Sequence, residues 1–230
     1  MTIHRKEITE STNLDARSGA PGDVFVAEFQ SAGRGRLDHS WHSAKGANLT
    51  FSVVLSGGDM PPSEVATLPL VVGLAVVKAL SRFAALSLKW PNDVLCDGRK
   101  LAGILCERCA DNVIAGIGVN VNQTEFPAEI AARATSLALL TGAPLDRDAV
   151  LDMILGSIET WHGRWLRGGF APLHREFAAI DCLKGRTLSV RQTDDDSAPL
   201  TGFCGGIAPD GSLIVGGRSV YAGEAHVMEA

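Results

Sequence analysis

The sequence predicts an α+β protein that consists of one main domain and a small C-terminal β-unit. Apolar and polar residues alternate over 49–55, which is the pattern of a half-buried strand. Between Val150 and Trp165 apolar residues recur at spacings of three and four, which indicates a helix. Beyond Cys182 only short strand patterns remain, and so short a stretch is typical of a small barrel that docks on a larger domain. We therefore divide the chain into residues 1–181 and 182–230.

Local patterns predict the other elements. The apolar segment 65–77 indicates a buried helix that starts near Ser63, and this segment is too short to cross a bilayer. Asp97-Gly98 predicts a hairpin turn, Asp111-Asn112 predicts the next turn, and Gly168-Gly169 ends the long helix. Further short strands are expected at 23–30, 86–90, 94–96, 99–107, 113–122, 187–191, 200–207 and 212–215.

The strand at 113–122 has two unlike faces. Side chains alternate along a strand, so one face carries Ile117 and its apolar neighbours, and the other carries Gly116, Gly118, Asn120 and Asn122. Glycine weakens a strand interior unless something approaches the backbone closely. The second face is therefore either a ligand wall or an ordinary side that faces solvent.

Composition excludes several broad classes. The chain has 230 residues with a net charge of -5, which argues against a general nucleic-acid or membrane-surface binder, since both need a basic face. We therefore expect no DNA partner and no membrane partner. The charged N-terminus lacks the apolar region of a signal peptide, so we expect a cytoplasmic protein.

The five cysteines do not suggest a secreted disulfide framework, because their number is odd and their spacing irregular. Cys106 and Cys109 form a single C-x-x-C. Without a second pair this is a weak signal for zinc, and the alternative is two thiols at a strand end.

The segment Gly33-Arg-Gly-Arg36 places two arginines between glycines, without apolar periodicity. Glycine lets the backbone approach a ligand closely, and the planar guanidinium group matches carboxylate and phosphate oxygens. The segment is either a loop that closes on an anion or a solvated basic turn.

Sequence motifs exclude some nucleotide sites and leave one kind open. The chain contains neither a P-loop nor the glycine pattern of a Rossmann fold. Several cations and polar groups lie instead on loops and strand ends, with one carboxylate among them, a set that suits phosphate chemistry with Mg²⁺. The residues of this set are Arg34, Arg36, Lys89, Lys100, Ser11, Thr12, Asn13, Gln30, Asn92, Asp93 and Asn120.

Six motifs in order give the chain a family resemblance. The motifs are Ser11-Thr-Asn13, Gly33-Arg-Gly-Arg36 with Trp41, Gly46-Ala-Asn48-Leu, Lys89-Trp-Pro-Asn-Asp93, Lys100-Leu-Ala-Gly-Ile-Leu105 and Gly116-Ile-Gly-Val-Asn-Val-Asn122. From about residue 8 to 122 the chain thereby resembles the biotin–protein ligases (biotin–[acetyl-CoA-carboxylase] ligases), and the later strands resemble the small C-terminal barrel of that family.

The resemblance implies a fold and an activity. The fold is a catalytic domain like that of class II aminoacyl-tRNA synthetases, a mixed sheet flanked by helices, followed by an SH3-like barrel. The activity uses ATP and Mg²⁺ to convert biotin to biotinyl-5′-AMP, and then attaches biotin to a lysine of a biotin carboxyl carrier protein. Since the first motif begins at Ser11, we expect the form without the N-terminal DNA-binding domain. A homodimer is one option for its assembly.

The resemblance also implies roles for individual residues. Lys100, Arg36 and Lys89 form the catalytic set, in which Lys100 faces the biotin carboxylate and the α-phosphate, and Arg36 and Lys89 hold phosphates. Asp93 helps to bind Mg²⁺, and Asn120 lies near adenine. The biotin-binding residues are Ser11, Thr12, Asn13, Gln30, Gly33, Arg34 and Lys100. The ATP-binding residues are Arg34, Gly35, Arg36, Trp41, Lys89, Asn92 and Asn120.

One departure from the family pattern bears on these roles. Many members continue the loop with a further glycine and a third arginine, where this chain has Leu37-Asp38-His39. A neutral imidazole holds phosphate less well than a guanidinium, so we assign no phosphate role to His39, and Leu37 offers an apolar contact instead.

Two other functions remain open on the residues alone. The first is a lipoate–protein or octanoate–protein ligase or transferase. The second is a non-catalytic regulator that binds biotin.

Overall fold

The computed structural model describes residues 2–36, 40–191 and 198–228. Seven strands build the main domain: β1 (Ile3–Thr9), β2 (Val24–Gln30), β3 (Leu49–Ser56), β4 (Ser87–Lys89), β5 (Asp93–Cys96), β6 (Arg99–Cys109) and β7 (Asn112–Val119). They form one mixed sheet in the order β1-β2-β3-β7-β6-β5-β4. β1 is parallel to β2, and the other neighbours are antiparallel. β1 was not predicted, because its side chains are charged or exposed and show no buried face.

The helices are α1 (Thr12–Asp15), α2 (Pro62–Val65), α3 (Leu68–Leu80), α4 (Ala128–Ala131), α5 (Leu137–Thr141), α6 (Arg147–Gly168) and α7 (His174–Phe177), with 3₁₀ turns at Ala16–Ser18 and Ala171–Leu173. α3 and α6 pack against each other, and α3 also contacts β4, β5 and β6. The segment Pro62–Leu80 has the length and mean hydropathy (1.7) of a membrane span, but 61% of its most apolar stretch is buried inside the protein. The predicted buried helix is thus confirmed, as a core helix.

The long helix α6 has the predicted limits. Asp146 caps its N-terminus by accepting hydrogen bonds from the backbone N–H groups of Asp148 and Ala149. Gly169 follows its last residue with φ of 69°, a conformation that glycine adopts without strain.

β3 corrects one prediction. The alternating pattern predicts a half-buried strand, but Leu49 to Leu55 are all buried. α6, α1 and the 3₁₀ turn at Ala16–Ser18 all contact β3 and cover it. Its polar residues are buried with partners: the Thr50 hydroxyl donates to the Ala27 carbonyl at 2.8 Å, and Ser52 contacts Thr12 and Asn13. The prediction was wrong because polar side chains in a strand do not always face water.

The two turns in the β5–β7 region lie close to their predicted places. Asp97 and Gly98 form the first turn with φ of 48° and 76°, as expected. The second turn uses Ala110 and Asp111, one residue earlier than predicted, because Asn112 already pairs with Cys109.

The C-terminal unit is an antiparallel sheet of five strands: β8 (Thr187–Arg191), β9 (Leu200–Ile207), β10 (Leu213–Val215), β11 (Arg218–Val220) and β12 (Glu224–Val227). Their order is β11-β10-β9-β8-β12. In the described part of the chain β11 and β12 do not pair with each other, so the barrel is open. β8, β9 and β10 were predicted, and β11 and β12 were not.

The C-terminal unit is attached to the main domain by polar and apolar contacts. His174 Nε2 lies 2.6 Å from the Ile207 carbonyl oxygen, and the Trp90 indole N–H donates to the Gly211 carbonyl at 3.2 Å. Buried residues of both units, among them Leu88 and Leu213, belong to one apolar cluster. The α+β class with a small C-terminal β-unit is confirmed, and the boundary between residues 181 and 182 stays a prediction.

Candidate active site

A cavity of about 160 Å³ lies over β6 and β7, between the loop after β2, the turn between β4 and β5, and β12. Its wall contains nearly the whole predicted set, drawn from distant parts of the chain. The predicted residues that line it are Ser11, Thr12, Asn13, Gln30, Arg34, Gly35, Arg36, Trp41, Lys89, Asn92, Asp93 and Lys100.

Two glycines of β7, Gly116 and Gly118, mark the two ends of this cavity. Gly116 pairs with Leu105, and two positions further along β7 Gly118 pairs with Gly103, which also pairs with Asp93 of β5. At Gly116 a Cβ atom would collide with the Asn13 amide, and at Gly118 it would collide with the Trp41 indole. Both glycines therefore let polar or aromatic groups lie on the sheet, and both line the cavity; the ligand-wall interpretation stays a prediction.

The neutral end surrounds Asn13 and consists of Ser11, Thr12, Asn13 and Gln30. The first three are nearly fully buried. Gln30 Oε1 accepts a hydrogen bond from the backbone N–H of Thr12 at 2.8 Å, and the Thr12 hydroxyl oxygen lies 3.0 Å from the same atom. The amide nitrogen of Gln30 is thereby left as the donor of that side chain. Protein hydrogen bonds thus hold Thr12, Asn13 and Gln30 in place at this end.

The cationic end consists of Arg36, Lys89 and Lys100. Lys100 Nζ lies 2.7 Å from Asp93 Oδ1 and 5.9 Å from the ring centre of Trp41. The lysine side chain passes Gly103, where a Cβ atom would lie 3.2 Å from Nζ. Burial lowers the pKa of Arg36, and the charges of Asp93 and Glu224 act in the opposite direction.

The arginine loop is closed at its base. The Trp41 N–H donates to the Gly33 carbonyl at 2.8 Å, and Arg34 forms an antiparallel bridge with Ser40. The predicted residue Gly33 is buried but does not line the cavity. A Cβ atom at this position would lie 2.7 Å from the Trp41 carbonyl oxygen. Leu37 and His39 lie outside the described residues.

Asn120 is not brought to the cavity. Its amide donates to the Thr135 carbonyl at 3.0 Å and to the Lys100 carbonyl at 3.4 Å, and the residue is buried. Asn122 likewise exchanges hydrogen bonds with the backbone of Leu145. These two asparagines tie the end of β7 to the segments around residues 135 and 145, so the position predicted for Asn120 near adenine has no support in the geometry.

Several lining residues were not predicted. Gly223, Glu224 and Ala225 reach the cavity from the C-terminal sheet, and no local signal marks them. Glu107 lies next to the cavity on β6, where it accepts a hydrogen bond from the Asn13 amide at 2.5 Å. Its position two residues after Leu105, on the same face of a strand with alternating faces, was the available signal.

The C-x-x-C pair lies near the end of β6. Burial raises the pKa of the Cys106 thiol to about 12, which keeps it protonated at neutral pH. No group of three or more His, Cys, Asp or Glu side chains in residues 2–36, 40–191 and 198–228 is arranged to hold a metal ion. The described part of the chain therefore offers this pair no further ligands of these types.

The fold and the cavity together define a class of protein: an α+β domain with a cavity that is neutral at one end and cationic at the other. Comparison with known proteins narrows this class. The sequence profile of the Biotin/lipoate A/B protein ligase family matches residues 5–123. The chain belongs to this family.

Curated relatives agree with that assignment. The chain is 35% identical over 233 residues to the Biotin–[acetyl-CoA-carboxylase] ligase of Mycobacterium tuberculosis, which covers 96% of this chain and 86% of the relative. It is 39% identical over 168 residues to the Bifunctional ligase/repressor BirA of Bacillus subtilis, which covers 69% of this chain. That match spans 51% of the relative, so the chain spans about half the length of the Bacillus proteins it matches.

Solved structures show the same fold. The biotin protein ligase from Aquifex aeolicus in complex with biotin and ATP superposes with a TM-score of 0.87 at 31% identity, and the alignment covers 100% of this chain and 99% of that one. The whole chain, including the C-terminal sheet, therefore has the architecture of that ligase.

Proposed function

We propose that this chain is a biotin–protein ligase that uses ATP. One observation carries the proposal: the cations Arg36, Lys89 and Lys100 line the same cavity as the buried hydrogen-bonding groups of Thr12 and Gln30. A neutral head and an acid end of one small molecule can thus be held together with a triphosphate. The family membership and the relatives named as biotin ligases support it.

In the first step a biotin carboxylate oxygen attacks the α-phosphorus of ATP. A new O–P bond forms, the bond to the β-phosphate oxygen breaks, and pyrophosphate leaves. The obstacle is repulsion between two anions, which fixed positive charges in a closed site reduce. Lys100 faces the carboxylate and the α-phosphate, while Arg36 and Lys89 hold the remaining phosphates.

The neutral end holds the ureido head of biotin. That head has two N–H donors and one carbonyl acceptor, so it needs both acceptors and donors from the protein. The Thr12 hydroxyl, the Ser11 hydroxyl and the amide of Gln30 lie at this end. Arg34 and the backbone near Gly33 complete this end of the site.

In the second step the neutral amine of a carrier lysine attacks the acyl carbon of biotinyl-5′-AMP. A C–N bond forms, the bond from the acyl carbon to the phosphate oxygen breaks, AMP leaves, and the amine loses a proton to water. The partner in this step is a biotin carboxyl carrier protein, in accord with relatives named as ligases of acetyl-CoA carboxylase.

The residues present fit a Mg²⁺ ion that is bound mainly by substrate. Asp93 lines the cavity, and its Oδ1 atom is buried and lies 2.7 Å from the ammonium of Lys100, so a carboxylate stands at the cationic end. Mg²⁺ in nucleotide sites is commonly bound by one or two carboxylates together with phosphate oxygens. Asp93 would hold the ion, which would neutralise phosphate charge.

The compartment and the roles of the two parts of the chain belong to the same proposal. Five free cysteines suit a reducing compartment, which supports the cytoplasm as the site of the reaction. Residues 1–181 would act as the catalytic domain, and residues 182–230 would contribute Glu224 to the nucleotide end of the cavity.

The test is to incubate the protein with biotin, Mg-ATP and a biotin carboxyl carrier domain. We expect biotinyl-5′-AMP and a carrier that is labelled on one lysine, both followed by mass spectrometry. Lipoate and octanoate in place of biotin test the neighbouring activity of the same family. Transfer of lipoate but not biotin would reassign the substrate, and biotin binding without adenylate would favour a non-catalytic regulator.

A further inference from the structure

Glu107 lies at the end of a buried chain of polar side chains that leads to the cavity. Its Oε2 atom accepts a hydrogen bond from Asn13 Nδ2 at 2.5 Å. On the other side of that amide, Asn13 Oδ1 lies 2.6 Å from the Ser52 hydroxyl, and the Ser52 oxygen lies 2.7 Å from the Thr12 hydroxyl. The chain Glu107–Asn13–Ser52–Thr12 thus connects β6 with the neutral end of the cavity.

The chemistry of Glu107 fixes the direction of these hydrogen bonds. An ionised carboxylate only accepts, so the Asn13 atom that faces it must be the amide nitrogen. Asn13 Oδ1 then points to Ser52 and, as a carbonyl oxygen, takes the single hydroxyl proton of Ser52. The 2.7 Å contact between Ser52 and Thr12 therefore needs the proton of Thr12.

The consequence reaches the ligand site. When its proton is directed to Ser52, the Thr12 oxygen keeps its lone pairs for an acceptor role in the cavity wall. Gln30 Oε1 is held by the Thr12 backbone N–H, so its amide nitrogen faces outward as a donor. The neutral end then presents one acceptor and one donor side by side, which match an N–H and a carbonyl group.

Two guanidinium groups balance the charge of Glu107. Arg17 and Arg34 each place a nitrogen 3.9 Å from its Oε1 atom, and Arg34 also lines the cavity. The carboxylate is half-buried, with 26% of its side chain exposed. Glu107 itself is not among the lining residues, so any effect on binding must pass through its partners.

We infer that Glu107 is a positioning residue that sets Thr12 as a hydrogen-bond acceptor for the N–H group of the ligand head. The inference rests on the proposed function, because it takes the ureido group of biotin as that head. Glutamine at position 107 has nearly the same shape, but one of its two terminal atoms is a donor. Because Arg17 and Arg34 only donate and lie on the Oε1 side, the glutamine oxygen should face them and its nitrogen should face Asn13. With the nitrogen forward the whole chain reverses, and Thr12 becomes a donor.

The experiment measures biotin affinity by calorimetry and the steady-state constants of adenylate formation for Glu107→Gln, Ser52→Ala and the double variant. We expect the Kd and KM for biotin to rise roughly tenfold in Glu107→Gln, since one hydrogen bond to the ligand is lost. The kcat at saturating biotin and the KM for ATP should stay within twofold. A purely structural defect would change these constants together.

Ser52→Ala tests the chain at its centre. Ser52 is fully buried, so it has no contact with a ligand, and its loss should cost a similar fold in biotin affinity. The double variant should bind biotin no more weakly than the weaker single variant, because both act through one chain. Glu64→Gln is the matched control: Glu64 accepts a hydrogen bond from the Phe170 N–H at 2.8 Å, away from the cavity, and its biotin affinity should equal wild type.

Unchanged biotin affinity in folded Glu107→Gln, or fully additive losses in the double variant, would overturn the inference. Wild-type protein that binds no biotin would instead refute the proposed function, so the two failures are distinguishable.

Discussion

The two ends of the cavity differ in how completely they are built before a ligand arrives. At the neutral end Ser11, Thr12 and Asn13 are nearly fully buried, and hydrogen bonds to Ser52, Gln30 and Glu107 hold Thr12 and Asn13. At the cationic end Arg36, Lys89 and Lys100 are only half-buried, and Lys100 is paired with Asp93. Under the proposed function, this difference means that the neutral end selects the ligand and the cationic end acts on phosphate.

Rigid neutral groups suit selection, because a buried donor or acceptor without a partner is costly and a wrong ligand leaves it unpaired. Cations suit chemistry, because positive charge held at fixed positions stabilises the negative charge that is redistributed at phosphorus during the reaction. If this division is correct, changes at the neutral end affect biotin affinity and changes at the cationic end affect rate or the response to ions.

The largest effect is expected at Lys100. Lys100→Ala should slow adenylate formation by roughly 100-fold or more, because it removes the charge that faces both reacting anions. The thermal midpoint should change little, since the side chain is 38% exposed. Rapid-quench measurement of biotinyl-5′-AMP gives the rate. The matched control is Lys45→Ala, which changes an exposed lysine paired with Glu7 and should form the adenylate at the normal rate. A normal rate in Lys100→Ala would contradict the division of roles between the two ends.

Gly116→Ala tests whether the neutral end is already filled to contact. The added methyl group collides with the Asn13 amide, so biotin affinity should fall roughly tenfold to hundredfold, in line with the cost of overpacking a core. Gly156→Ala is the control, because a Cβ atom there meets no neighbour within 4 Å in the middle of α6. Isothermal titration calorimetry measures the biotin affinity of both variants. Equal affinities would mean that Asn13 moves freely to make room for the methyl group.

Asp93→Asn separates ion binding from biotin binding. We expect the Mg²⁺ concentration for half-maximal adenylate formation to rise about tenfold, because loss of a carboxylate ligand weakens binding of a hard cation. Biotin affinity should not change. The measurement is a Mg²⁺ titration of the initial rate at fixed ATP, and an unaltered midpoint would remove Asp93 from the metal site.

The smallest effect concerns pH. Burial lowers the pKa of Arg36, yet a guanidinium stays protonated through the working range. A lysine at that position starts from an ordinary pKa near 10.4, and the same burial lowers it, so Arg36→Lys should lose its charge as pH rises. The variant should therefore lose activity several-fold more than wild type between roughly pH 7.5 and 9.5. The measurement is the pH–rate profile of each protein. If the profiles of the variant and of wild type have the same shape, Arg36 does not act on the phosphates.

Much of the site was predictable from sequence because its motifs are short and local. Ser11-Thr-Asn13, the arginine loop and Lys89 to Lys100 each occupy one turn, loop or hairpin, and their order identified a known arrangement. The prediction for Asn120 fared worse for a physical reason. An amide on the open face of a strand can bind a ligand or a neighbouring backbone, and only the packing of the segment at Thr135 decided for the backbone.

The fold was predictable to a similar degree. Hairpin turns at Asp97-Gly98 and the limits of α6 follow from backbone preferences of a few residues. The strand β1 escaped because its side chains lie in ion pairs, such as Arg5 with Asp148 and Lys6 with Asp15, rather than on an apolar face. One face of β3 was predicted to face solvent, because the sequence does not distinguish its buried polar residues from exposed ones.

The amino-acid sequence by itself determined the limits of α6, the turn at Asp97-Gly98, the pair of glycines on β7 and the chemical groups available to the cavity. Tertiary structure alone decided that Glu107 lies against Asn13, 94 positions away, and that Glu224 of the C-terminal sheet reaches the same cavity as Arg36. The reason is that local preferences act over a few neighbouring residues, whereas these contacts depend on strand register and on how two units pack.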